Sequence, residues 1–369
     1  MILITMLPSF FFLAAGIAAA TAASKSSCVG TISSLNDVSS AVECTTVNIN
    51  AFTVPAGQTF ELNLLDGTTV NVLGEIQFGN VSWAGPLFQV KGNDITFNGN
   101  NQKWDGGGPF YWDGQGSGGG VTKPRPMMHI LISGTLNDVH VVNSPAQSFS
   151  IGNSGPITIS GVTVDDSQGN YANSNSGGLP AGHNTDGFDV GGSNVIIQNS
   201  KVFNQDDCVA IGKGTNITVT GNYCSGGHGI SIGSISSNVV VSDITISGNN
   251  VVDSLFAFRI KTDKSAKKSS VSNVTYTANT ASNCTDYGVL ITQSYPSNFG
   301  TPGNGVTISN INFNPGTTAL LAQNDAYMAA VNCGSGSCTG IWDWSQLQTS
   351  GGKVGSFVNC DSVITGYDY

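Results

Sequence analysis

The feature that most constrains this chain is a regular interval. Apolar pairs at Phe188/Val190, Val209/Ile211 and Ile230/Ile232 are evenly spaced: Val209 lies as far from Phe188 as Ile230 lies from Val209. Phe258/Ile260 and Val289/Ile291 continue the series at somewhat longer steps. Each pair has the period-2 alternation of a short strand with one buried face. A second strand family interleaves with the first: a small or polar residue, then apolar–x–apolar. It occurs at Asp94-Ile-Thr-Phe97, Asp138-Val-His-Val141, Pro156-Ile-Thr-Ile159, Asn194-Val-Ile-Ile197, Asn216-Ile-Thr-Val219, Asp243-Ile-Thr-Ile246, Asn273-Val-Thr-Tyr276 and Asn310-Ile-Asn-Phe313. From Val195 to Ile217, Ile244 and Val274 the steps lengthen gradually in the same way. A period of roughly 20–30 residues with several strands per repeat predicts a solenoid, in which each coil buries its inward face and stacks on its neighbours. A β-sandwich also has short strands and turns, but gives no reason for equal steps.

The expected fold is therefore all-β, a right-handed parallel β-helix. The 48 glycines and 10% charged residues agree, because Gly permits tight turns and weakens helices. A solenoid end exposes core, and a short N-terminal helix over 34–44 would cover it, with Ser34 as its cap and Leu35, Val38, Ala41 and Val42 as its apolar face. No other helix is expected. Residues 1–23 read as a secretory signal: Phe10 to Ala20 is apolar, small residues follow, and the run is short for a membrane span. The remainder, 24–369, reads as a single domain. All eight cysteines follow the leader, which suits an oxidising compartment. Cys333 and Cys338 frame a local bridge, and Cys28/Cys44 and Cys208/Cys224 are close in sequence. Cys284 and Cys360 either pair or leave Cys284 as a buried thiol. Asn80, Asn216, Asn273 and Asn283 begin N-x-S/T sequons and should be exposed.

The formal net charge of −10 argues against a nucleic-acid partner, and no later segment is apolar enough to enter a membrane. It also opposes a polyanionic substrate unless local cations dominate a cleft. Four motifs create such a place: Asn184-Thr-Asp186, Asp206-Asp207, Gly227-His228-Gly229 and Arg259-Ile-Lys261. Asp186, Asp207 and His228 are spaced by the same even interval as the apolar pairs, so stacking would superpose them. Taken alone, Asp206-Asp207 reads as a solvated turn or a Ca²⁺ pair, His228 as structural, and Arg259/Lys261 as solubilising charge. Together they place three carboxylates, an imidazole and two cations on one patch. Crowded carboxylates cannot all ionise, so Asp206 is expected to stay protonated as an acid. Glycines around His228 would leave space for a large ligand. A metal site is disfavoured by the scatter of the four histidines.

These motifs, in this order, resemble the polygalacturonases among glycoside hydrolases. The longer strings Gly182-His-Asn-Thr-Asp-Gly-Phe-Asp189, Asn204-Gln-Asp-Asp-Cys208 and Cys224-Ser-Gly-Gly-His-Gly-Ile-Ser-Ile-Gly233 are similar to those of secreted fungal endo-acting members. Phe110-Tyr-Trp-Asp113 and Asn143-Ser-Pro-Ala146 extend the likeness over essentially the whole mature chain. The resemblance implies metal-free hydrolysis of α-1,4-linked galacturonan with inversion, by a monomer that needs no cofactor. It makes Asp206 the general acid, and Asp186 and Asp207 the groups that position and activate water. His228 would support the acid's protonation, while Asn184, Arg259, Lys261 and Tyr295 would bind substrate.

Two features depart from the family pattern. Val209-Ala-Ile-Gly-Lys-Gly214 follows Cys208 where relatives often have Asn, and only Cys360 stands where many fungal members have a C-terminal cysteine pair. Stacking alone would put Asp186 and Asp207 about 5 Å apart, closer than the roughly 6.5–9.5 Å usual for inversion. Divergent side chains would relieve that conflict. Exo-polygalacturonase and rhamnogalacturonase are near alternatives. A pectate lyase, with an ultraviolet-absorbing product, and a non-catalytic pectin-binding solenoid are the alternatives of other classes.

Overall fold

A computed structural model of the chain describes Ile2, residues 28–360 and residues 362–368. The expected leader, 1–23, otherwise lies outside the described residues. The fold is the right-handed parallel β-helix expected, with the strands paired in parallel.

Each complete coil supplies one strand to each of three faces. On the first face the apolar ladder runs Phe149, Phe188, Val209, Ile230, Phe258, Val289, Ala329, in register from coil to coil. The equal steps thus become vertical stacks. On the second face Phe97, Leu136, Ile159, Ile197, Val219, Ile246, Tyr276 and Phe313 stack in the same way. The third carries Trp104, Val141, Val164, Val202, Cys224, Val251, Ala281 and Leu320. All these side chains are buried and form one core.

The repeated phrase is explained by its first residue. Asp94, Asn194, Asn216, Asp243, Asn273 and Asn310 all have φ between 54° and 59°. Asn194 leads into its strand and the other five bend a strand from within, all in the left-handed region, which Asn and Asp tolerate better than other side chains. Their side chains stack as well: Asn216 Nδ2 donates to Asn194 Oδ1 at 2.8 Å, and Asn310 Nδ2 to Asn273 Oδ1 at 3.0 Å. One phrase belongs elsewhere. Asp138-Val-His-Val141 lies on the third face, and the second-face strand of its coil is Gly134-Thr135-Leu136. A glycine at the inward position hid that strand from the apolar pattern.

A second polar ladder runs inside the opposite turn. Asn222, Asn249 and Asn279 are buried. Asn249 Oδ1 accepts from the Asn222 backbone N–H at 2.9 Å, and Asn279 Oδ1 accepts from that of Asn249 at 3.0 Å. Each side-chain amide also donates to a strand carbonyl, of Ile197, Val219 or Ile246. The turns therefore satisfy backbone groups that the ladders leave over.

The N-terminal cap is a 3₁₀ turn, Leu35–Asp37, running into a helical turn, Val38–Ala41. Ser34 does not cap it as expected. Its hydroxyl donates to Asp37 Oδ2, and that carboxylate also accepts from the Ser33 N–H, so the acid inside the turn reaches back over its start. Helical turns also occur at Gly108–Tyr111, Gly116–Gly118 and Ser167–Asn170, too short to carry an amphipathic signal. Disulfides join Cys28–Cys44, Cys208–Cys224 and Cys333–Cys338. Cys284 is a buried free thiol, so it makes no bridge to Cys360. The four sequon asparagines are exposed. Among the described residues no helix is long and apolar enough to cross a membrane.

Asn249→Ala should lower unfolding stability by roughly 2–4 kcal/mol, the cost of one or two stranded buried donors, with the far-ultraviolet spectrum unchanged. Denaturant titration measures it, and a shift under about 0.5 kcal/mol would remove the amide ladder from the stabilising terms.

Candidate active site

Register places the motifs. Because Phe188, Val209 and Ile230 stack, the residues two positions earlier, Asp186, Asp207 and His228, stack at the mouth of the same face. The Gly187 N–H donates to the Asp207 carbonyl at 2.9 Å and the His228 N–H to the Asp206 carbonyl at 2.7 Å. One step into the strands, the outward column holds Asp189, Ala210, Ser231 and Arg259.

Asp206 and Asp207 are neighbours that face different partners. Asp206 Oδ1 lies 2.9 Å from His228 Nδ1 and accepts from the Asp207 N–H at 2.8 Å, while Oδ2 accepts from Asn184 Nδ2 at 2.8 Å. Asn184 is held in turn by φ 53° and by the Ser117 N–H on its Oδ1. Asp207 turns under the floor. Arg259 Nη2 reaches its Oδ1 and Lys261 Nζ its Oδ2, both at 2.7 Å, and the Ser231 hydroxyl donates to Oδ1 at 2.7 Å. Arg259 also donates to Ser231 and lies 4.2 Å over the Phe256 ring.

Two expectations change here. Arg259 and Lys261 face away from the core, but they are only 5% and 6% exposed and are spent largely on Asp207. A carboxylate buried two coils away draws both long side chains back along the ladder. Lys261 still lines the cleft, with Nζ 5.3 Å over the Tyr295 ring. The glycines around His228 serve backbone contact rather than ligand space. A Cβ on Gly227 would strike the Asp206 carbonyl, and one on Gly229 the carbonyls of Phe256 and Ala257.

The protonation pattern also differs from the crowding argument. Burial raises the Asp206 pKa, but the His228 hydrogen bond and charge, with Lys261 and the Asp207 N–H, outweigh it and hold the carboxyl below the usual range. The raised acids are its neighbours. Burial, then the charges of Asp206, Asp189 and Asp207, push Asp186 well above the ordinary value, and its Oδ1 has no hydrogen-bond partner. Asp189, half-buried in the cleft wall and hydrogen-bonded to Asp186, is pushed up to about 7 by burial and by Asp207 and Asp206. Donors rather than crowding decide which carboxyl keeps a proton.

Asp189 carries no role in the sequence reading, although the parity that faces Arg259 outward applies equally to it. Ser231 and Gln205 were also missed. Gln205 accepts from the Thr185 hydroxyl at 2.9 Å and donates to the Asp166 carbonyl at 2.8 Å, tying together the two turns that bear Asp186 and Asp206. No spacing signals a contact made between turns.

The group lies between two open recesses. One of ≈390 Å³ is lined by Gln147, Ser150, Asn184, Asp186, Asp189, Asp206, Lys261 and Tyr295 among others. The other, also ≈390 Å³, lies beside His228, His183, Leu179 and Leu255. Asp206, Asp207 and His228 offer ligand atoms within 4.8 Å of one another. The two cations already on the Asp207 oxygens make the trio a poor host for a metal ion.

Residues 44–367 match the model of glycosyl hydrolases family 28. The chain belongs to that family. It is 44% identical over 331 residues to endopolygalacturonase B of Aspergillus oryzae, covering 88% of this chain and 87% of that protein. It is 42% identical to polygalacturonase 2 of Penicillium olsonii over 330 residues, covering 87% and 83%. Among solved structures, endopolygalacturonase I from Stereum purpureum, complexed with two galacturonates, superposes with a TM-score of 0.87 at 46% identity, covering 92% of this chain and 99% of that one.

Raised carboxyl pKa values make this family 28 chain lose stability with rising pH. The folded state favours neutral Asp189 and Asp186, so their contribution is fullest below about pH 4 and declines as pH rises towards about 7, where Asp189 titrates. Asp189→Asn should flatten that decline. Denaturation midpoints at several pH values test it, and parallel curves for the two proteins would place the titration elsewhere.

Proposed function

We propose that this chain is an endo-polygalacturonase that hydrolyses α-1,4 bonds between galacturonate residues of pectin or polygalacturonate, with inversion. The observation that carries this reading is the position of the acidic group between two recesses of an open cleft, so that sugars can lie on both sides of the bond to be cut. An exo-acting enzyme needs one side closed. The names of the relatives point the same way.

In this mechanism Asp206 is the general acid. With His228 protonated, the Asp206–His228 pair carries one proton along a 2.9 Å line. An arriving uronate adds negative charge beside Lys261, weakening its hold on Asp206 and favouring transfer of the proton from imidazolium to carboxylate. Asp206 then passes it to the leaving glycosidic oxygen as the C1–O bond breaks. Asp186 and Asp207 position a water on the opposite face of the sugar, and Asp186, acting in its ionised form, takes the water's proton as the oxygen bonds to C1. Asn184 orients Asp206. Lys261 and Tyr295 receive a uronate, and Arg259 acts from beneath by fixing Asp207. The protein works without a metal.

The substrate is the pectin chain, and the working unit is the monomer. We read the mature enzyme as residues 24–369, exported after loss of 1–23. The three disulfides suit that compartment.

Viscosity of polygalacturonate should fall steeply while few reducing ends appear, and Asp206→Asn should slow both by at least about a hundredfold. Galacturonate monomer as the sole early product would replace the endo reading with an exo one. A product absorbing in the ultraviolet would replace hydrolysis with elimination.

A further inference from the structure

The column that bears Asp186, Asp207 and His228 does not stop at the histidine. Ile230 pairs with Phe258, so the next position in the column is Phe256, and Phe256 pairs with Tyr287 and Tyr287 with Tyr327. The rings touch in series. His228 meets Phe256 edge-on at 6.0 Å, Phe256 stacks on Tyr287 at 6.0 Å, and Tyr287 on Tyr327 at 5.1 Å. Phe256, Tyr287, Leu290 and Ala330 form an apolar cluster outside the main core. Beside it is a recess of ≈110 Å³ lined by Tyr287, Phe299, Tyr327, Ala330 and Ser356. It lies up to three coils beyond His228, about 14 Å along the axis.

We propose that this recess is a distal subsite that takes the methyl ester of a galacturonate residue. The inference rests on the endo-polygalacturonase reading of the cleft. Its lining is aromatic and small, with no lysine or arginine. Arg259, which lies over the Phe256 ring, is committed to Asp207, and Lys353, paired with Tyr327 in the ladder, lies 3.1 Å from Asp325. The neighbouring charge is an acid, Asp286, fixed by Asn298 at 2.9 Å. A free uronate carboxylate would meet no counter-charge there, whereas an ester has none to lose and buries its methyl against rings. The volume is a few times a water's share of about 30 Å³, room for an ester group and the edge of its sugar. Tyr327 and Phe299 are 38% and 36% exposed, so the recess opens to solvent.

Three variants avoid the core: Tyr327→Ala and Phe299→Ala remove walls, and Ser356→Trp fills the space. On partially methyl-esterified pectin each should raise KM about 3- to 10-fold, the loss of one methyl and one aromatic contact, with kcat unchanged. On polygalacturonate, and on trigalacturonate, which is too short to reach, KM should stay within about twofold. Tyr327→Phe, which keeps the ring, should behave as wild type. Equal changes on esterified and unesterified substrates, or no change on either, would overturn the proposal. If wild type cleaves neither polymer, the functional reading fails on its own. Calorimetric affinities for esterified and unesterified oligomers then decide the recess: a preference for esters that Ser356→Trp abolishes supports it, and equal affinities refute it.

Discussion

The cleft depends on one constraint, the in-register parallel ladder through Phe188, Val209, Ile230, Phe258 and Val289. Backbone hydrogen bonds set the rise between coils, and apolar side chains facing inward forbid a one-residue slip, which would turn the core outward. With rise and parity set, everything at the strand mouths is set too. Asp186, Asp207 and His228 are superposed by the same pairing that buries the core. The polar cluster here is a by-product of register, supplied by three coils that need no contact with one another in sequence.

Within that frame, Asp207 organises the charges. Its two oxygens take Arg259 and Lys261 at 2.7 Å, in surroundings where the carboxylate is 1% exposed. Removing either cation would leave buried charge uncompensated. With Asp207 satisfied, Asp206 is free to face the cleft with His228, and the remaining acids, Asp186 and Asp189, lack a cation of their own. Their raised proton affinity follows first from burial and then from the neighbouring carboxylates, which Lys261 offsets only in part. Of the 13 Lys and Arg of this acidic chain, Arg259 and Lys261 stand at this floor and supply the local positive charge that the net charge lacks.

Much of this could be read from residues alone. An even period, alternating apolar pairs and Asn or Asp before each strand determined a β-helix, because only stacked coils make equal steps useful. The same steps brought Asp186, Asp207 and His228 together, and the motifs around them named a family. Where the apolar pattern was interrupted, as at Gly134-Thr135-Leu136, one strand was assigned to the wrong face. Helical turns of three or four residues, such as Gly108–Tyr111, left no periodicity to find.

Only tertiary structure decided where side chains end. Sequence spacing gives the height of a residue in the stack and the side it leaves from, which is why parity turned Arg259 and Lys261 away from the core. It does not give the reach of a flexible chain toward a buried carboxylate two coils away, nor the three donors that gather on Asp206 and reverse the protonation expected from crowding. Those outcomes depend on contacts of 2.7–2.9 Å between turns distant in sequence. The sequence by itself determined the scaffold and the membership of the site, because backbone pairing is periodic. The charge states within the site belong to the fold, because electrostatics and hydrogen bonding act through space.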